Sequence, residues 1–164
     1  MAQLIGFIAF FISLVTYHQK SKVKILSNAL LVNCLKIVHY LLLGAYSACV
    51  IKVVAIIRDF FVILKEKYNF LRSKFFFWFF LLLYLVIAIV TYDGVFSLFP
   101  VIAAFTYILV IWNGDVDKIR KIAFLGYCLW LCYNIFVFSI SGVLSDIISI
   151  LSVSVAIYRC RENR

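Results

Sequence analysis

Residues 72–92 read RSKFFFWFFLLLYLVIAIVTY, and residues 75–90 contain no charge, glycine or proline. About 20 apolar residues carry a helix across the hydrocarbon core of a bilayer, and this run nearly supplies them alone. No polar stripe runs along it that could face a cavity. The sequence therefore predicts a lipid-facing helix with a topological task, and what it separates is a repeat.

Shifted by 94 positions, the chain matches itself without a gap, as in Ile8/Ile102, Ala9/Ala103, Lys24/Lys118, Ala29/Ala123, Cys34/Cys128, Leu35/Leu129 and Ser47/Ser141. Such self-similarity is read before any single element, because it sets the architecture. Each half holds three hydrophobic segments, at 4–17, 25–43 and 47–64, then 95–112, 119–138 and 143–158. Three is odd, so halves joined directly would insert upside-down to each other. One extra crossing restores a common orientation. The expected fold is an all-α integral membrane protein with seven transmembrane helices. Residues 1–68 form the first three-helix repeat, 69–94 the linker helix and 95–164 the second repeat. The single proline, Pro100, is expected to start or kink the fifth helix.

Composition agrees: 66% of the 164 residues are hydrophobic and the mean hydropathy is +1.12, where a soluble domain is about half apolar. The net charge of +9 does not signal nucleic acid, because the basic residues outside the hydrophobic segments all lie in alternate connections. Lys20, Lys22 and Lys24 follow the first segment, and Lys65, Lys67, Arg72 and Lys74 the third. Lys118, Arg120 and Lys121 follow the fifth, and Arg159, Arg161 and Arg164 end the chain. Basic loops stay in the cytoplasm, which predicts an external N-terminus, seven crossings and a cytoplasmic C-terminus. MAQLIG lacks a basic n-region, and no small-x-small site follows the first segment, so no cleavable signal is expected. The five cysteines read as small buried hydrophobes. No metal site or cofactor is expected.

Five charges interrupt the hydrophobic segments: Lys36, Lys52, Arg58, Asp59 and Asp146. Each costs roughly 2.5–3.5 kcal/mol at mid-helix on insertion scales, so such residues face a bundle interior and often mark a pathway. The 94-residue shift overlays Lys52 on Asp146 and Lys36 on Trp130. Equal depth and opposite sign predict a Lys52–Asp146 salt bridge across the centre, acting as a clamp, as part of a solute path, or both. Arg58 and Asp59 are sequence neighbours and point about 100° apart on a helix, so separate partners are expected for them. Asn33, Lys36 and Tyr40 share a face of the second segment, and Tyr127, Trp130 and Asn134 overlie that region on the sixth. Such a face suits either a cavity wall or aromatic packing between helices. The candidate solute-binding set is Lys36, Lys52, Trp130, Asp146, Asn33, Tyr40, Asn134 and Ser149. His39 reads as a hydrogen-bonded buried histidine. No nucleophile–base pair, HExxH or phosphate loop is present, so enzymatic activity is not expected.

IGFIAFFISLVTY, from Ile5, resembles the first helix of bacterial semiSWEET sugar transporters. Trp130, Tyr133 and Asp146 keep the spacing of that family's Trp-x-x-Tyr motif and of the third-helix asparagine that lines its sugar pocket. The resemblance implies a SWEET-like 3+1+3 fold with Trp130 and Asp146 at pocket positions. HYLLLGAY, from His39, with Arg58 downstream, is similar to the His-x4-Gly-x-Tyr stretch and arginine of the YgjV-type bacterial inner membrane proteins. That resemblance covers nearly the whole chain and implies the bacterial inner membrane. Departures from the sugar transporters are specific. Gln19-Lys20 and Asn113-Gly114 replace the Pro-Gln hinges, Lys36 and Lys52 occupy the first repeat's pocket positions, and Asp146 is charged where that family is neutral. The expected function is a transporter or facilitator of a small polar solute by alternating access. The alternative is a non-transporting interaction, sensor or assembly protein with a permanent ion pair between its bundles. Expected partners are the lipid bilayer and the solute, without nucleic acid, and a homo-oligomer is compatible with both readings.

Overall fold

Seven helices account for most of the computed structural model, which describes residues 2–16 and 18–162, the side chains of residues 113, 161 and 162 excepted. They are α1 (Ala2–Leu14), α2 (Lys22–Leu42), α3 (Tyr46–Leu64), α4 (Lys74–Val90), α5 (Leu98–Asn113), α6 (Val116–Phe136) and α7 (Ile140–Glu162). Short 3₁₀ turns at Asn69–Arg72 and Val95–Ser97 lead into α4 and α5. Pro100 lies in the first turn of α5, where its missing N–H and fixed φ cost nothing.

The 94-residue offset recurs in the bounds of some helices. Adding 94 to both bounds of α2 gives both bounds of α6, and adding it to the first residue of α3 gives the first residue of α7. The turns between these helices use a left-handed residue at the same register, Gly44 at φ 70° and Phe138 at φ 53°. Several boundaries differ from expectation: α2 and α6 each begin three residues early, at Lys22 and Val116, and α5 begins at Leu98 after the turn at Val95–Ser97. Segment one ends as a helix at Leu14, with Ser13 Oγ donating to the Phe10 carbonyl at 2.7 Å; Tyr17 lies outside the described residues. Segment seven begins at Ile140 rather than Val143, because Ser139 Oγ accepts the Gly142 N–H at 3.1 Å and caps the helix early.

Helix α2 packs against α1 and α3, and α6 against α5 and α7, while α1 meets α7 and α3 meets α5. These six helices close a ring. Exchanging first-half for second-half helices turns each of these contacts into another of the same set. Helix α4 lies outside the ring against α5 and α3. It buries Phe80, Leu81, Tyr84 and Ile87 and exposes Trp78, Leu82, Leu85 and Ile89. The expectation of a featureless, purely topological helix is corrected by Tyr84, which is fully buried and reaches a charge on α3.

Large apolar side chains such as Leu31, Val53, Leu109, Leu125 and Leu151 are exposed, far more than a water-soluble surface tolerates. Lys22–Leu42, Val95–Trp112 and Ile140–Cys160 are long and apolar enough to cross a membrane, and Ala2–Leu14 and Lys74–Val90 are shorter apolar helices. The cysteines depart from expectation: Cys49 is buried, but Cys34 and Cys132 lie on the exposed surface, with Cys128 and Cys160 intermediate.

Candidate functional site: a central polar cavity

Inside the ring is a cavity of about 110 Å³. Part of its wall is built from residues 94 apart: Ser13 with Tyr107, Ala29 with Ala123, Val32 with Gly126, Asn33 with Tyr127 and Lys36 with Trp130. The cavity therefore takes side chains from both halves, though α3 contributes to its wall and α7 does not. Its volume comes from small side chains, since Ala29, Ala55, Ala103, Ala104, Ala123 and Gly126 all line it. Lys52, Arg58 and Asp59 of α3 complete the wall. At Ser13 and Thr16 it reaches toward the end of the ring that carries the lysine- and arginine-rich connections.

The opposite end is closed by a layer of bonds between the two halves. Tyr40 Oη donates to Asn134 Oδ1 at 3.0 Å; these two residues are 94 apart. Ser47 Oγ and Tyr133 Oη bond at 2.9 Å. His39 is satisfied on both ring nitrogens, by the Ala2 carbonyl and by Ser139 Oγ, each at 2.9 Å. Gln3 Oε1 accepts the Ser141 N–H at 2.9 Å, tying the start of α1 to that of α7. Tyr40 stacks on Trp130 with ring centroids 5.7 Å apart, so this layer forms the cavity floor.

The expected Lys52–Asp146 ion pair is not formed. Asp146 Oδ1 lies 3.9 Å from Lys36 Nζ, and its Oδ2 accepts from Asn134 Nδ2 at 2.6 Å. Lys52 Nζ instead sits 3.7 Å from the centroid of the Trp130 ring. The two contacts are images of each other: exchange of the halves turns 36 with 146 into 130 with 52. The mispairing has a geometric cause. Residues equivalent under a twofold lie on opposite sides of the axis and touch only when close to it, as Tyr40 and Asn134 are.

Arg58 and Asp59 also differ from expectation, because they pair with each other. Arg58 Nη2 lies 2.8 Å from Asp59 Oδ1, which also accepts from Nε at 2.9 Å. The long guanidinium arm overcomes the angular offset of adjacent helical positions. Arg58 Nη1 donates to Tyr84 Oη at 2.9 Å, and the guanidinium lies 5.0 Å from the Tyr107 ring. Both residues are buried, Asp59 completely.

Of the candidate set, Asn33, Lys36, Lys52 and Trp130 line the cavity. Tyr40, Asn134 and Asp146 lie behind them as a bonded chain ending on Lys36. Ser149 is buried on α7, away from the cavity wall, and its hydroxyl makes no hydrogen bond. Sequence reasoning missed Tyr84, Tyr107 and the alanines. Tyr84 carried a signal, being the only hydroxyl in residues 75–90. The alanines carried one too, since Ala29/Ala123 is an identical pair of the repeat.

An all-helical chain with an apolar exterior and its charges turned inward is an integral membrane protein. It belongs to the Imp-YgjV family of bacterial inner membrane proteins, whose family model matches residues 1–164. No curated protein and no solved structure matches the chain.

Proposed function

We propose that the protein is a SWEET-like transporter or facilitator of a small polar solute, working by alternating access. In this reading all seven helices cross the inner membrane. Residues 1–68 and 95–164 are two parallel repeats joined by 69–94, with the N-terminus outside and the C-terminus in the cytoplasm. It is not an enzyme. One observation supports the reading: a polar cavity lies between the two halves and takes part of its wall from both in pairs 94 residues apart. A solute there touches both halves, so tilting one against the other can open either end. The positive-inside rule turns the basic end to the cytoplasm and the closed layer to the outside. That layer consists of a few polar bonds, among them Tyr40–Asn134 and Ser47–Tyr133, which can break and re-form.

The second reading, a non-transporting sensor or assembly protein, draws on the same bonds: a permanently closed layer would make the ring a rigid scaffold. Single cysteines in a background without the native five separate the two. Ala123→Cys in the cavity wall should react with a membrane-impermeant maleimide from the cytoplasmic side. Ala48→Cys, fully buried near the closed layer, should react slowly from outside, and faster when Tyr40→Phe removes the bond to Asn134. Complete protection of Ala48→Cys in both backgrounds would favour the scaffold.

A further inference from the structure

The charges around the cavity do not balance. Three cations, Lys36, Lys52 and Arg58, stand among two carboxylates, Asp59 and Asp146. Arg58 is joined to Asp59 through two nitrogens, and Lys36 faces Asp146. Lys52 lines the cavity and makes no ion pair among the described residues; its partner is the Trp130 ring. A ring face returns only part of what an ammonium gives up on leaving water, so the cavity retains an attraction for one negative charge.

We propose that the cavity binds a small hydroxylated monocarboxylate, with its carboxylate on the Lys52 ammonium. The proposal rests on reading the cavity as a solute site and names the class of that solute. One unpaired cation matches a monoanion; a dianion would have to break one of the two existing pairs. Ser13 and Thr16 give their hydroxyl protons to carbonyls of α1, at 2.7 and 3.4 Å. Their lone pairs remain for hydroxyl groups on the ligand, which therefore donates at that end and accepts at Lys52. The volume of about 110 Å³ corresponds to about four waters at roughly 30 Å³ each, comparable to a hydroxy acid of three carbons. The same set departs from a neutral sugar site by one charge.

The test uses the full chain purified in detergent at pH 7, with glycerate and lactate as probes, glycerol and 1,2-propanediol as their neutral counterparts, and chloride as an inorganic anion. Glycerate should raise the melting temperature and bind by calorimetry, while glycerol and chloride do neither at equal concentration. Lys52→Met should melt higher than the parent without ligand, because it removes an uncompensated charge, yet bind glycerate at least tenfold more weakly. Lys52→Arg should retain binding, which separates loss of charge from loss of structure. Glycerate binding unchanged in Lys52→Met, equal binding of glycerol, or an equal effect of chloride would each overturn the proposal. Lys52-dependent glycerate binding in a protein whose Ala48→Cys never labels would leave this inference standing and sink transport. Labelling at Ala48→Cys with binding of the polyol alone would do the reverse.

Discussion

Asp146 is fully buried between Lys36 and Asn134, so substitutions on either side of it have distinct consequences. Lys36→Met strands a carboxylate in the interior and should cost roughly 3–5 kcal/mol. Adding Asp146→Leu should recover much of the loss, and thermal melts of the two single variants and the double variant give the coupling directly. Additive effects would mean that the 3.9 Å approach carries no energy. Lys65 predicts a pH effect at the basic end. Burial just beyond α3 pushes its ammonium down from 10.5 to about 8, with Lys22 adding to the shift; it donates to the Trp112 carbonyl and lies 4.3 Å from that ring. Between pH 8 and 10.5 the unfolded chain holds the proton that the folded one has released. Stability should therefore rise with pH across that window. Below it the cost of burying the charge is fully present. Melts of the parent and Lys65→Met at pH 7.5, 8.5 and 9.5 should differ in slope, and parallel slopes would remove Lys65 as the cause. Phe138, at φ 53°, holds a left-handed conformation that costs an L-residue about 1–2 kcal/mol. Phe138→Gly should return about 1 kcal/mol of stability, as Gly44 already does at the equivalent turn; a lower melting temperature would assign the exposed ring an anchoring role instead.

At the scale of elements, α4 is held by more than apolar packing. Tyr84 is one of three partners that satisfy Arg58, together with Asp59 and the Tyr107 ring. Tyr84→Phe should cost roughly 1.5–3 kcal/mol, the usual worth of a hydrogen bond to a charged group. An unchanged melting temperature would reduce α4 to topology. The α1–α7 seam is equally specific, since a Cβ on Gly6 would land on Ser141 Oγ and come within 3.1 Å of His39 Cε1. The helices themselves were legible in the sequence because hydrophobic periodicity and the repeat reinforce each other: residues 116–136 copy 22–42 in both bounds. Helix ends were less so. The start of α7 depends on the Ser139 cap, a single hydroxyl that the apolar pattern does not register.

For the whole molecule, the sequence carries equivalence better than contact. A shift of 94 residues identifies which positions match, and it led to the cavity through Asn33, Lys36 and Trp130. It does not say how far each residue lies from the axis, which is why Lys52 was matched to Asp146 and found on Trp130. The proposed orientation rests on charge: reporter fusions at Lys67 and Arg164 should read cytoplasmic and one at Gly142 external, and a periplasmic signal at Arg164 would break the seven-crossing count. The central claim is that the two halves rock about the cavity, and paired distances test it most directly. Spin labels at Leu42 and Phe136, equivalent exposed residues at the closed end, form one pair; labels at Lys24 and Lys118, the equivalent residues at the basic end, form the other. In liposomes, pulsed dipolar spectroscopy should find two populations for each pair. Conditions that lengthen the Leu42–Phe136 distance should shorten Lys24–Lys118. A single narrow distance at both ends, unmoved by solute or by Tyr40→Phe, would contradict the account.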